Sequence, residues 1–169
     1  DYKGLDLLFE AMADEKVKSL NLKLIVAGEF YGNENHYRTM IKDLNIADRL
    51  VDRMSFIPNY EVRYFFGAAD LVVQPYKSAT QSGISQIAYH FEKPMVVTNV
   101  GGLPEIVPDG VCGYVTAIDP KAIAEAIYKF YNEDKQETFT NGLRDVKQTY
   151  SWDIFTERLL QTRKTSVAT

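Results

Sequence analysis

Short apolar runs closed by glycine or proline alternate along this chain with segments whose apolar residues recur every three or four positions. A bounded apolar run reads as a strand buried on both faces, and the helical spacing as a helix with one buried stripe. Leu5, Leu8, Phe9 and Met12 open the chain on such a helix, and residues 22–27 form an apolar run ended by Gly28. Tyr37, Met40, Ile41 and Leu44 repeat the helical spacing; residues 54–57, closed by Pro58, read as a second strand. A helix is expected over 60–68, with Tyr60, Tyr64 and Phe65 in core packing, and a third strand over 71–73 before Pro75. A helix over 83–91, a strand over 94–98, a break at Gly101-Gly102, a short helix over 103–107 and a strand over 114–116 follow. Asp119 caps a helix with Pro120 in its first turn and Ile123, Ile127, Phe130 and Tyr131 on its buried face. Ser151 caps a last helix on which Trp152, Phe155 and Leu159 share a face.

Strands joined to helices by short connections predict an α/β fold: a Rossmann-like parallel sheet with helices on both faces. A β/α unit begins with its strand, yet this chain begins with a helix, so the first strand is expected to be missing from residues 1–169 and to lie before Asp1. The chain then reads as an excerpt of a longer one. In the strand order 3-2-1-4-5-6 the missing strand is central, and its absence leaves two neighbours unpaired and the sheet disturbed.

A length of 169 residues suits one compact domain. With 46% hydrophobic and 25% charged residues the composition excludes disorder, and a net charge of −4 excludes a basic field for nucleic acid. The single cysteine, Cys112, cannot pair within the chain and fits a reducing compartment. No apolar run approaches the roughly 20 residues of a membrane span, and the start Asp1-Tyr2-Lys3-Gly4 lacks signal-peptide character, so no transmembrane segment and a cytoplasmic location are expected.

Ligands of such sheets bind beyond the carboxyl ends of the strands, where three loops meet. The most informative runs from Gln74 to Gln86: small and polar residues, Ser78, Ala79, Thr80, Gln81 and Ser82, lead from a strand to a helix whose free amides open at Gly83. That suits an anion; taken alone, the stretch is more simply a plain strand-to-helix turn with Thr80 or Ser82 as N-cap. Lys3 lies on the same edge and could neutralise a phosphate, although a lone lysine is usually a solvated charge. Val100-Gly101-Gly102-Leu103-Pro104-Glu105 is a second glycine turn into a helix, with a ligand-facing and a purely structural reading. Gly28-Glu29-Phe30 could cradle a base or ribose, ending a strand being the commoner job of such a glycine.

His36 and His90 have no cysteine or second histidine at ligand spacing, so no metal is expected. A Gly-x-Ser-x-Gly elbow and a glycine-rich Lys-Ser/Thr loop are both absent.

Taken in order, Lys3-Gly4 before a helix, Ile25-Val26-Ala27-Gly28-Glu29, 69–75, Lys93-Pro94-Met95-Val96-Val97-Thr98 and 101–107 resemble the consecutive landmarks of the C-terminal domain of family 4 retaining GT-B glycosyltransferases. Asp109-Gly110, Gly113-Tyr114 and Tyr150-Ser151-Trp152 extend the resemblance over nearly the whole chain. It implies that residues 1–169 are a C-terminal domain binding a nucleotide-diphosphate sugar, with the acceptor held by an N-terminal domain outside them. It further implies Lys3 on the diphosphate and the Ser82, Gly83 and Ile84 amides on diphosphate or sugar, while Glu105 belongs to the turn. One departure matters: where the family carries two glutamates, this chain has Ala79 and Ile87, leaving Thr80, Gln81 and Gln86 as nearby polar substitutes.

The expected activity is metal-independent, retaining transfer of a hexose from a nucleotide sugar to an acceptor hydroxyl, without a cofactor and with the catalytic residue unassigned. The isolated chain is expected to be inactive. A non-catalytic sugar-nucleotide or protein-binding module is the alternative that the missing glutamates support, and an epimerase acting on a nucleotide sugar is a third. Fold alone does not choose among them.

Overall fold

The computed structural model describes residues 2–29, 32 and 34–149. Helix α1 (Leu5–Met12) and the short α2 (Glu15–Lys18) precede strand β1 (Leu24–Ala27). Helix α3 (Glu34–Asp43) leads through a 3-10 turn to β2 (Leu50–Arg53), then α4 (Asn59–Ala68) leads to β3 (Val72–Gln74). Helix α5 (Gly83–His90), β4 (Met95–Thr98), α6 (Leu103–Ile106), β5 (Gly113–Thr116), α7 (Pro120–Asn132) and α8 (Gln136–Thr149) follow. Asp119 caps α7 through Ala122 N at 2.8 Å, with Pro120 at its first position, where a missing N–H costs nothing.

All strand pairs are parallel, but they form two sheets: β1 with β2, and β3-β4-β5. The break falls between β1 and β3, the two strands that the expected order makes neighbours of the missing one. One apolar core bridges it. Leu8, Phe9, Met12, Ile41, Ile123 and Ile127 come together from α1, α3 and α7 with Ile46 from the segment after α3, and Leu24, Val26, Leu71 and Val73 pack on them from both sides of the break. A second core covers the opposite face of the larger sheet with Ala88, Tyr89, Met95, Val97, Leu103, Val107 and Leu143. Val73 belongs to the first core and Val72 to the second, as the alternation of a strand requires.

Three expectations need correction. The second strand occupies Leu50–Arg53, not 54–57. Its Val51, Asp52 and Arg53 are exposed at an outer edge, so backbone pairing to β1 defines it and apolar content does not reveal it. Tyr60 and Tyr64 are 67% and 59% exposed rather than core, and α4 buries no residue fully; its Glu61, Val62, Phe65 and Phe66 are half-buried. Helix α8 is an addition to the elements expected: Phe139 and Leu143 are buried, and Gly142 lets the helix approach the Val111 carbonyl, which a Cβ would meet at 2.0 Å. The helix expected from Ser151, with Trp152, Phe155 and Leu159, lies outside the described residues, as do Tyr150 and Phe30.

Candidate functional site

The segment before α1 is clamped onto the loop after β3. Gly4 has φ +65°, and a Cβ there would stand 1.9 Å from the Pro75 carbonyl oxygen, so only glycine allows this approach. Lys77 N donates to Tyr2 O at 2.8 Å, Lys77 Nζ pairs with Asp6 at 2.5 Å, and Thr98 Oγ1 donates to Tyr76 O at 2.5 Å. The result brings Lys3 over Tyr76: its Nζ donates to the phenol oxygen at 2.7 Å and stands 4.2 Å from the ring centroid. Burial works against the Lys3 charge, but the bond to Tyr76 and the neighbouring Tyr76 and Tyr2 hydroxyls outweigh it and raise its pKa above the usual lysine range. Lys3 is therefore a fixed cation.

From Tyr76 the contacts continue to α5. Its hydroxyl lies 3.3 Å from Ser82 Oγ, and Ser82 is the N-cap, accepting from Ile84 N at 3.2 Å. The capping reading of Ser82 is thus correct, and it coexists with an open first turn: a Cβ on Gly83 would meet nothing within 4 Å. Beneath the turn, Gln74 and Ser85 are buried and hydrogen-bonded to each other, with Nε2 to Oγ at 3.1 Å and Oγ to Oε1 at 3.2 Å. That pair fixes α5 against β3. A helix start with its partial positive charge beside a held ammonium is an arrangement that favours an anion.

Among the residues expected to bind the donor, Lys3 and Ser82 are joined through Tyr76, and Thr80, Gln81, Gly83, Ile84 and Gln86 are exposed beside them. Ala79 and Ile87 are half-buried. The Gly101-Gly102 turn packs on the same loop from behind. A Cβ at Gly101 would stand 1.7 Å from Ala79 O, and Gly102 N donates to Thr80 O at 3.0 Å, so its glycines serve close packing. Gly28 and Glu29 end β1 on the far side of the sheet break, where Gly28 N donates to Arg53 O at 3.1 Å. Tyr76 is the residue that sequence reasoning passed over; its position directly after the strand-ending Pro75 was the available signal.

Among the described residues no group of three His, Cys, Asp or Glu side chains is placed to hold a metal, and no helix is long and apolar enough to cross a membrane.

Residues 1–133 match the family described as "Glycosyl transferases group 1". An uncharacterized glycosyltransferase of Methanocaldococcus jannaschii is 29% identical over 153 residues, covering 89% of this chain and 41% of that relative, so the chain spans less than half the relative's length. An Anabaena protein crystallised in complex with UDP superposes with a TM-score of 0.76 at 21% identity, over 97% of this chain and 46% of that one. The C-terminal domain of a glycosyl transferase group 1 family protein from Francisella tularensis gives a TM-score of 0.75 at 19% identity, over 88% of this chain and 80% of that domain. Family match and fold agree: the chain belongs to the group 1 glycosyl transferases and has the Rossmann-like architecture of a GT-B C-terminal domain.

Proposed function

We propose that this chain binds a nucleotide-diphosphate sugar with its diphosphate against Lys3 and the first turn of α5, as the donor-binding part of a metal-independent, retaining hexosyltransferase. The acceptor then belongs to a domain outside residues 1–169, and the reaction to the cytoplasm. The observation that carries the reading is the convergence of the Lys3 ammonium, Tyr76 and Ser82 on the α5 N-terminus, at the carboxyl end of β3 where ligands of parallel sheets bind. That the Anabaena protein of the same fold was crystallised in complex with UDP supports a nucleotide as the ligand.

Calorimetry with UDP, uridine and pyrophosphate tests the reading. Diphosphates should bind and uridine scarcely at all; Lys3→Ala should remove a charge-assisted contact worth about 1.5–3 kcal/mol if desolvated, and less in an open site. Unchanged UDP affinity in both Lys3→Ala and Gly83→Val would move the site elsewhere. The second reading, a non-catalytic binding module, rests on Ala79 and Ile87 standing where the resembling family has glutamates. Consumption of a nucleotide sugar by the longer protein, with and without acceptor, separates the two.

A further inference from the structure

We infer that Tyr76 is a positioning residue for the diphosphate of the donor, its hydroxyl holding the Lys3 ammonium at the first turn of α5. The inference rests on the donor-site reading above and adds to it a residue and a mechanism. Lysine is a strongly hydrated charge on a flexible four-carbon stem, so an exposed Lys3 left to itself would sample many rotamers. Tyr76 restricts it from two directions: the hydroxyl accepts from Nζ at 2.7 Å, and the ring face lies 4.2 Å from it. The phenol is itself fixed. Tyr76 as a residue is 5% exposed within the second core, its carbonyl oxygen accepts from buried Thr98, and its hydroxyl is 3.3 Å from Ser82 Oγ.

The direction of these bonds matters. An ammonium can only donate, so the Tyr76 oxygen is the acceptor toward Lys3 and its own proton is free to turn to Ser82. Ser82 Oγ also accepts from Ile84 N at 3.2 Å. Cation, phenol, cap hydroxyl and helix amide thereby form one connected series, and an anion meeting Lys3 meets a cation already aimed at the helix start. Pre-organisation of this kind raises affinity by removing an ordering cost rather than by adding a contact.

Tyr76→Phe deletes one oxygen and keeps the buried ring. UDP and inorganic pyrophosphate are titrated into the unmodified protein, Lys3→Ala, Tyr76→Phe and the double variant. Tyr76→Phe should weaken both ligands about tenfold, the scale of one hydrogen bond to a charged group. In the Lys3→Ala background the same change should have no further effect, because Tyr76 acts through Lys3. Unaltered affinity in Tyr76→Phe while Lys3→Ala binds more weakly would overturn the positioning role and leave the donor site standing. An equal loss in both backgrounds would make Tyr76 merely structural and overturn it too. If the unmodified protein binds neither ligand, the donor-site reading falls and this inference with it. An NMR titration of the Lys3 side chain in the unmodified protein gives a test free of any folding defect: a pKa above the usual lysine range supports the tether, and an ordinary value refutes it.

Discussion

A Cβ at Gly4 would stand 1.9 Å from the Pro75 carbonyl oxygen on a backbone with φ +65°, whereas a Cβ at Gly83 would enter open space with no left-handed backbone to strain. The two glycines therefore make opposite predictions. Gly4→Ala should lower stability by at least about 1–2 kcal/mol from the left-handed backbone alone, and should loosen Lys3 as the loop is pushed away. Gly83→Val should leave stability within roughly 0.5 kcal/mol, as for an ordinary surface change, while blocking an anion from the first turn of α5. Thermal melts paired with UDP titrations check both: a stable Gly4→Ala with intact binding, or an unfolded Gly83→Val, would contradict the geometry. Lys3, Ser82 and Gly83 were legible as site candidates because residue type and order suffice for them. Tyr76 was not, because its role depends on Lys3, which lies 73 positions away in sequence.

At the scale of elements, α8 shows how contact overrides propensity. Glycine within a helix usually costs about 1 kcal/mol against alanine, so Gly142→Ala should stabilise an isolated helix. Here the added Cβ would meet Val111 O at 2.0 Å, a backbone atom that cannot step aside cheaply. Gly142→Ala should therefore destabilise the protein by about 1–3 kcal/mol, the range of an overpacked contact, measured by denaturant melts. The same helix is tied to the end of α5 by Arg144, whose Nε and Nη2 donate to Glu92 Oε2 at 2.9 and 2.7 Å. Those bonds hold the Glu92 carboxyl below its ordinary pKa against an opposing effect of burial, with the Arg144 and Lys147 charges adding to them. A lowered folded-state pKa means stability present above the unfolded value of about 4.3 and lost as pH falls through the folded value. Melts of the protein and of Glu92→Gln should thus differ slightly at about pH 7 and converge once the pH has fallen below the folded value; Arg144 is exposed and Glu92 partly so, so added salt should shrink the gap. A gap that widens on acidification would show that the pair is not what sets it.

For the whole molecule, the break between β1 and β3 is the decisive feature. Both strands present a backbone edge that no other strand pairs among the described residues, although side chains from both sides share one core. Edges of this kind invite a further strand. We expect residues 1–169 alone to give no sugar transfer to an acceptor, and a longer protein supplying a strand for that gap and an acceptor domain to be both more stable and active. Turnover by this chain alone, above a control without protein, would refute the expectation.

Several features were determined by the sequence by itself. Apolar spacing and Gly/Pro punctuation marked α1, α3, α5, α7 and the inner strands, because a buried strand or stripe must be apolar along its own length. The ordered landmarks were enough for the family. Tertiary structure alone decided the outer strand β2, whose edge position lets it carry Asp52 and Arg53, and the exposure of Tyr60 and Tyr64, which helical spacing cannot distinguish from burial without a partner surface. It also decided that the Gly101-Gly102 turn packs against the Ala79–Thr80 backbone. Local pattern records what one element needs; the joining of Lys3, Tyr76 and Ser82 is a property of where three segments meet, and only the folded chain contains it.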